Sequence, residues 1–144
     1  VGMEGLILPD VPFEEKHEIL EIFHEQDLEV VSMIAPTSSE RVKMIAAEAE
    51  GFVYCVSSLG VTGMRSEIST DIASLIRDVK SVKEIPCAIG FGISTPEQAK
   101  KMAAVSDGAI VGSAIVKIVA EHGKKAPSHV KKYVQSMKSA VEEA

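Results

Sequence analysis

The sequence alternates short apolar, β-branched runs with longer segments of helical period, and it does so five times. The runs occupy residues 5–10, 28–36, 51–58, 85–91 and 107–112, and their starts are spaced like successive βα units. Their apolar residues do not alternate cleanly with polar ones, which is typical of parallel strands that are buried on both faces. The sequence therefore predicts an α/β fold with a parallel sheet.

The segments between the runs carry helix signals. Thr37 with Glu40 and Ser94 with Glu97 match the S/T-x-x-E capping box, and Pro12 is placed to open the first helix. Two later helices are each predicted to bury one apolar face. These faces comprise Ile72, Leu75, Ile76 and Val79 in one helix, and Val130, Tyr133, Val134, Met137 and Val141 in the last helix.

Repeated βα units build either a doubly wound sheet or a (βα)8 TIM barrel. A dinucleotide-binding doubly wound fold needs G-x-G-x-x-G after its first strand, and "GLILPDVP" has no such motif. We therefore predict a partial TIM barrel of five βα units, as a single domain over residues 1–144. Because a strand begins almost at once and Val1 is not a methionine, we expect the chain to start inside a larger protein.

Composition excludes several classes of partner. The net charge is −6 and only 4% of residues are aromatic, which is unlike a nucleic-acid-binding surface. No apolar run is long enough to span a membrane, and no signal peptide is visible. Cys55 and Cys87 lie in strand-like runs without metal-ligand spacing, so we predict buried free thiols. We expect a soluble cytoplasmic protein with no metal, membrane or nucleic-acid partner.

Three glycine-rich loops follow the third, fourth and fifth strands: "GVTG" (60–63), "GFGIS" (90–94) and "GSA" (112–114). Each is nearly uncharged and precedes a helix, so backbone N–H groups can converge on one point, as phosphate sites require. A short helix over 113–119 would begin at Ser113, in the manner of barrel phosphate sites. The alternative is that the glycines only allow tight turns.

Other residues suggest a ligand rather than a reaction. Tyr54 can point into a barrel or pack in the core, whereas Phe91 lies between two glycines that offer it no packing. Together they suggest a flat apolar ligand beside the phosphate. Asp10 ends a strand and can serve as a cap as well as a functional group, and Lys117 can steer an anion. No strand end carries a paired acid and base.

Four segments, "LILPDVPFEE", "YCVSSLGVTG", "IPCAIGFGIS" and "GAIVGSAIVKIV", resemble in order and spacing the α subunit family of tryptophan synthase, from its fourth strand to its C-terminus. The resemblance covers essentially the whole chain. It implies a TIM-barrel lyase that cleaves indole-3-glycerol phosphate to indole and glyceraldehyde 3-phosphate in tryptophan biosynthesis. It also implies a partner β subunit in an αββα tetramer.

Carried across by motif, the resemblance implies three groups of residues. The phosphate would be held by Gly63, Gly92, Gly112 and Ser113; the indole pocket would be lined by Tyr54, Phe91, Ile7, Met33 and Ile110; and a mobile lid would comprise Gly60, Thr62 and Gly63. The lid would close over bound substrate. No cofactor is implied for this chain, because pyridoxal phosphate belongs to the β subunit.

One feature of the family has no counterpart here. Its general acid/base glutamate and the aspartate that helps protonate the indole ring precede the matched segments, so this chain is predicted to contain no catalytic residue and to be inactive alone. Two other interpretations stay open: a non-catalytic phosphate-binding or assembly module, and another phosphate-binding barrel such as a sugar-phosphate epimerase or isomerase. The last would need metal-ligating His and Asp at strand ends.

Overall fold

A computed structural model describes residues 2–57, 67–90 and 92–144, with backbone only for 67–71. Its five strands are β1 (Gly5–Ile7), β2 (Glu29–Ile34), β3 (Val53–Val56), β4 (Cys87–Gly90) and β5 (Gly108–Ala109). They form one sheet in chain order, and each neighbouring pair is parallel. In a doubly wound sheet the strand order reverses at a switch point, whereas here each strand is added on the same side of the strand before it. The order is that of a barrel, as predicted.

Helical structure follows every strand, which confirms five βα units. The helices are α1 (His17–His24), α2 (Ser39–Ala47), α3 (Glu67–Lys80), α4 (Pro96–Ala103), α5 (Ser113–His122) and α6 (Ala126–Glu142). The predicted start of α5 at Ser113 is confirmed, and the helix runs three residues further than 119. A single 3-10 turn, Gly123–Lys125, joins α5 to α6.

The core lies between the sheet and the helices. The inward side of α3 is formed by Ile72, Leu75, Ile76 and Val79, which are buried as predicted. They pack in one cluster with strand residues that include Cys55 and Cys87. Both cysteines are buried free thiols, as predicted. The adjacent Cys87 thiol and burial raise the pKa of Cys55, so this thiol stays protonated and unreactive.

The opposite face of the sheet carries residues assigned to the indole pocket. In the strand register Ile7 lies beside Val31, and Met33 lies beside Tyr54. Because side chains alternate along a strand and paired residues share a face, Ile7, Met33 and Tyr54 lie on the side that faces away from the core cluster. In a closed barrel this side is the interior.

The predicted capping boxes are each wrong by one residue. In α2 the cap is Ser38, whose Oγ accepts the N–H of Arg41 at 3.3 Å. In α4 the box pairs Thr95 with Gln98. Pro96 then occupies the first helical position, where proline is most favourable, and this preference places the cap at the residue before it.

Two expectations for the first and last helices also need correction. Pro12 opens a 3-10 turn, Phe13–Glu15, and the α-helix begins only at His17. In α6, Met137 is buried but Val134 is 44% exposed, since it lines an open groove with Ile115 of α5.

Candidate functional site

The candidate site is a cavity of about 500 Å³ at the carboxyl ends of β4 and β5, which we call the Tyr54 cavity. Its lining residues are Tyr54, Gly92, Ile93, Ser94, Ile110, Gly112, Ser113, Ala114 and Lys117. Five of them are residues that the sequence assigned to phosphate or indole binding. Two separate glycine loops therefore meet at one cavity.

The amino end of α5 supplies the polar wall of this cavity. Gly112 is the N-cap residue, and its carbonyl accepts the N–H groups of Ile115 and Val116 at 2.9 and 3.1 Å. The N–H groups of Ser113 and Ala114 precede these donors and have no acceptor within the helix. No acidic side chain occupies the first turn of α5, unlike those of α2 and α4. The positive end of the helix is thus left uncompensated by the helix itself.

The loop after β4 forms the wall opposite α5. Gly92 has a φ of 77°, a left-handed conformation that favours glycine. The Ser94 N–H is engaged, since it donates to Gln98 Oε1 at 2.8 Å. Tyr133 of α6 donates its hydroxyl to the Ser94 carbonyl at 2.9 Å. These bonds hold the loop against α4 and α6.

A close approach explains the other glycine of "GFGIS". The ring of Tyr54 lies directly against Gly90, so that a Cβ at position 90 would overlap the Tyr54 hydroxyl and Cζ. Gly90 is buried, and it pairs with Val56 in the β3–β4 register. The sequence offered two reasons for glycines here, phosphate-binding N–H groups or tight turns, but at Gly90 the glycine gives space to an aromatic ring.

The remaining predicted residues are distributed as follows. Ile110 lines the Tyr54 cavity, whereas Met33 lines a different cavity. Ile7 is 41% exposed on the edge strand β1. Four others, Gly60, Thr62, Gly63 and Phe91, lie outside the described residues. Ile93, Ser94 and Ala114 also line the cavity; they belong to the predicted glycine-rich loops but were not themselves assigned to a ligand.

The electrostatics of the cavity favour an anion. None of its described lining residues is acidic, and Lys117 lies one turn after Ser113 on α5. Lys117 is exposed, and its Nζ lies 3.9 Å from Glu121, so that pair is weak. Within the described ranges, no group of three or more His, Cys, Asp or Glu could hold a metal ion. In the same ranges no helix has the length and apolarity to cross a membrane.

Known proteins are similar to this chain in sequence and in fold. The family model for the tryptophan synthase alpha chain matches residues 1–144. The alpha chain of Thermoanaerobacter sp. (strain X514) is 48% identical over 143 residues, covering 98% of this chain and 55% of that protein. The alpha chain of Lacticaseibacillus casei is 42% identical over 142 residues, covering 99% and 53%. The chain thus spans about half the length of the curated relatives it matches.

Solved structures agree with the sequence relatives. The alpha subunit from Campylobacter jejuni superposes with a TM-score of 0.80 at 29% identity, covering 98% of this chain and 54% of that one. The tryptophan synthase a2b2 complex from Pyrococcus furiosus gives a TM-score of 0.76 at 33% identity, covering 94% and 54%. The five-stranded sheet is thus part of a TIM barrel, and with the family match over its whole length the chain belongs to the tryptophan synthase alpha chain family.

Proposed function

We propose that the Tyr54 cavity binds indole-3-glycerol phosphate, and that the chain contributes this binding surface to an enzyme that cleaves this substrate to indole and glyceraldehyde 3-phosphate in tryptophan biosynthesis. The observation that supports this most is the acid-free amino end of α5, which faces the same cavity as Gly92 and Tyr54. Family membership supplies the identity of the substrate.

The phosphate is assigned to the α5 side of the cavity. The N–H groups of Ser113 and Ala114 would donate to its oxygens, with Gly92 approaching from the opposite loop. The Ser113 hydroxyl can add a further donor. Because Gly112 has open space where a Cβ would stand, a phosphate oxygen can approach its backbone closely. Gly63 is proposed to add a donor from the loop after β3.

The indole ring is assigned to the sheet side of the cavity. Tyr54 and Ile110 line it, and Met33 stands beside Tyr54 in the register of β2 and β3. Ile7 lies on the same face of the sheet, one strand further away. Phe91 follows Gly90 directly in the sequence, and we propose that its ring contacts the indole.

A lid over this cavity is proposed for the segment that carries Gly60, Thr62 and Gly63. This segment follows β3 within four residues, so it begins at the carboxyl end of the strand that bears Tyr54. Closure would exclude water from the bound substrate.

Bond cleavage needs groups that the described part of the cavity lacks. In the reaction the bond from indole C3 to the glycerol chain breaks, C3 gains a proton, and the adjacent hydroxyl loses one as it becomes the aldehyde. The cavity's described lining has no Asp, Glu or His to move these protons. We propose that the family's glutamate and aspartate, outside these 144 residues, perform this step without a cofactor.

The partner proposed for the complete enzyme is the β subunit, which carries pyridoxal phosphate and consumes indole. Support comes from the Pyrococcus furiosus relative, whose structure is that of an a2b2 complex. The enzyme is expected to work in the cytoplasm, where the other steps of amino-acid biosynthesis supply its substrate.

Calorimetric titration of the chain with indole-3-glycerol phosphate tests this proposal. Saturable binding is expected, without release of indole, whether or not a β subunit is present. Ser113→Glu should abolish binding by charge repulsion, while the acidic residue at the first position of α5 keeps or raises stability. Ser39→Glu makes the same change at the first position of α2 and should leave binding unchanged.

Three results would contradict the proposal. Equal binding by the wild-type protein and Ser113→Glu would move the phosphate away from α5. Indole release by the chain alone at a full enzymatic rate would show that cleavage does not need the glutamate and aspartate assigned to the rest of the enzyme. Absence of any binding would favour a non-catalytic assembly role.

A further inference from the structure

A second cavity, which we call the Lys16 cavity, lies between the 3-10 turn before α1, the strand β2 and the start of α2. Its volume is about 250 Å³, and it shares no lining residue with the Tyr54 cavity. One wall is apolar and includes Leu8, Val11 and Phe13. The other wall carries the polar side chains of Lys16, Ser32, Thr37 and Arg41.

Lys16 is a buried cation with neutral partners. Its side chain is only 6% exposed, and its Nζ donates to Ser32 Oγ at 3.3 Å and to the Glu48 carbonyl at 3.2 Å. In the described part of the chain no carboxylate lies within 4.0 Å of this Nζ. Burial lowers the pKa of Lys16, and the more distant Glu50 and Glu48 offset this only partly. An ammonium has three N–H donors, so one remains for another acceptor.

The second cation of the cavity is already paired. Arg41 of α2 donates to both oxygens of Glu14 at 2.7 and 3.3 Å, which joins α2 to the 3-10 turn at the rim. Lys16 is therefore the cationic group inside the cavity that lacks a contacting counter-ion. Ser32 is also only 6% exposed, and its hydroxyl accepts from Lys16 and keeps its own hydrogen to donate.

We propose that the Lys16 cavity binds a small organic carboxylate with an apolar body. The carboxylate would accept from Lys16 Nζ and the Ser32 hydroxyl, and the apolar body would pack against Leu8, Val11 and Phe13. The volume suffices for a single ring, because cavities of about 150 Å³ hold benzene. Pro9 and Thr37 line the cavity and are exposed, so a ligand can enter from solvent at that side.

Benzoate and its neutral analogue benzamide are the probes for this site. Titration followed by amide and lysine-side-chain NMR should show saturable binding of benzoate, with shifts at Phe13, Lys16 and Ser32. Benzamide should bind roughly tenfold more weakly, because it brings no charge to the ammonium. Shifts at Gly112 and Ser113 alone would place benzoate at α5 and overturn the proposal.

Two lysine variants distinguish benzoate binding at Lys16 from a general effect of the protein's charge on benzoate binding. Lys16→Met keeps the alkyl stem and should weaken benzoate binding about tenfold or more. Lys83→Met is the matched control, since Lys83 also donates to a carbonyl near the end of α2, that of Ala49 at 2.6 Å, but does not line the cavity. Lys83→Met should bind benzoate as the wild type does.

A third variant keeps the test valid if Lys16→Met does not fold. Ser32→Ala removes the second donor while Lys16 stays, and it should weaken benzoate binding by a factor of about three to ten. Unchanged affinity in the folded Lys16 or Ser32 variant, or no saturable binding to the wild-type protein, would overturn the proposal. The phosphate site at α5 is unaffected by either outcome.

Discussion

Gly90 and Gly92 stand two residues apart and are glycines for different reasons. Gly92 needs a backbone conformation that other residues rarely adopt, whereas Gly90 needs space for the Tyr54 ring. The sequence placed both positions in one glycine-rich loop, "GFGIS", and assigned a phosphate contact to Gly92. It could not separate the two reasons, since the contact of Gly90 with Tyr54 depends on how β3 and β4 pair.

Gly90→Ala should force the Tyr54 ring to move toward the cavity. We expect a loss of about 1–2 kcal/mol in the free energy of unfolding, together with changed NMR signals of the Tyr54 ring. Gly108→Ala is the matched control on β5, because its added Cβ would meet only Ala88, at an ordinary 3.9 Å. If both variants unfold at the same denaturant concentration and the ring signals stay unchanged, the close contact between Gly90 and the Tyr54 ring is contradicted.

Asp107 provides a pH-dependent link between β4 and the turn before β5. Its Oδ2 accepts the Cys87 N–H at 2.7 Å, and Lys80 lies 3.1 Å from the same oxygen. The Cys87 N–H, followed by Lys80, holds the pKa of Asp107 below its ordinary value despite some burial. The carboxylate therefore stabilises the fold at neutral pH, and this contribution is lost as the pH falls through the lowered pKa.

Asp107→Ala should lower the free energy of unfolding by about 1 kcal/mol at pH 7, a modest value because the side chain is 48% exposed. The difference from wild type should shrink once the pH falls below about 3.9, where the unfolded-state aspartate is protonated. Asp78→Ala removes a half-buried carboxylate that lies 3.8 Å from Lys43, too far for a hydrogen bond, and it should change stability little at either pH. A pH-independent difference for Asp107→Ala would contradict the assignment.

At the scale of elements, helix starts are where the sequence and the structure differ by one residue. The apolar periodicity of α3 was enough to predict its buried face, because periodicity extends over many residues. A cap involves a single side chain, and serine and threonine stand side by side at both sites, as Thr37–Ser38 and Ser94–Thr95. In α4, Pro96 and Gln98 determine that the cap is Thr95 rather than Ser94. Pro96 occupies the first helical position, and Gln98 Oε1 accepts the Thr95 N–H at 3.1 Å.

Thr95→Ala should therefore cost about 1 kcal/mol in the free energy of unfolding, since it removes the N-cap of α4. Ser94→Ala should cost only about 0.5 kcal/mol or less, because its exposed hydroxyl bond to Gln98 is 3.2 Å long and is not the cap. Urea unfolding of the two variants compares them directly. A larger loss of stability for Ser94→Ala than for Thr95→Ala would instead support the capping box of Ser94 with Glu97 that the sequence pattern predicts.

At the scale of the whole molecule, the strand order and the meeting of two glycine loops were predictable from the sequence. Parallel strands place their carboxyl ends at one edge, so loops after β4 and β5 must be neighbours. The Lys16 cavity was not predictable, because Lys16 meets Ser32 and the Glu48 carbonyl only through the packing of α1 and α2 on β2. No local pattern signals contacts between residues so far apart in the chain.

The central claim is that backbone N–H groups from separate loops bind one phosphate group. The most direct measurement is the change in amide ¹H and ¹⁵N chemical shifts during titration with glycerol 3-phosphate. We predict saturable shifts with a common dissociation constant at Gly92, Ser113 and Ala114, while the Ser94 amide, already bound to Gln98, moves less. Shifts that are absent, or that follow different dissociation constants at the two loops, would contradict a shared phosphate site.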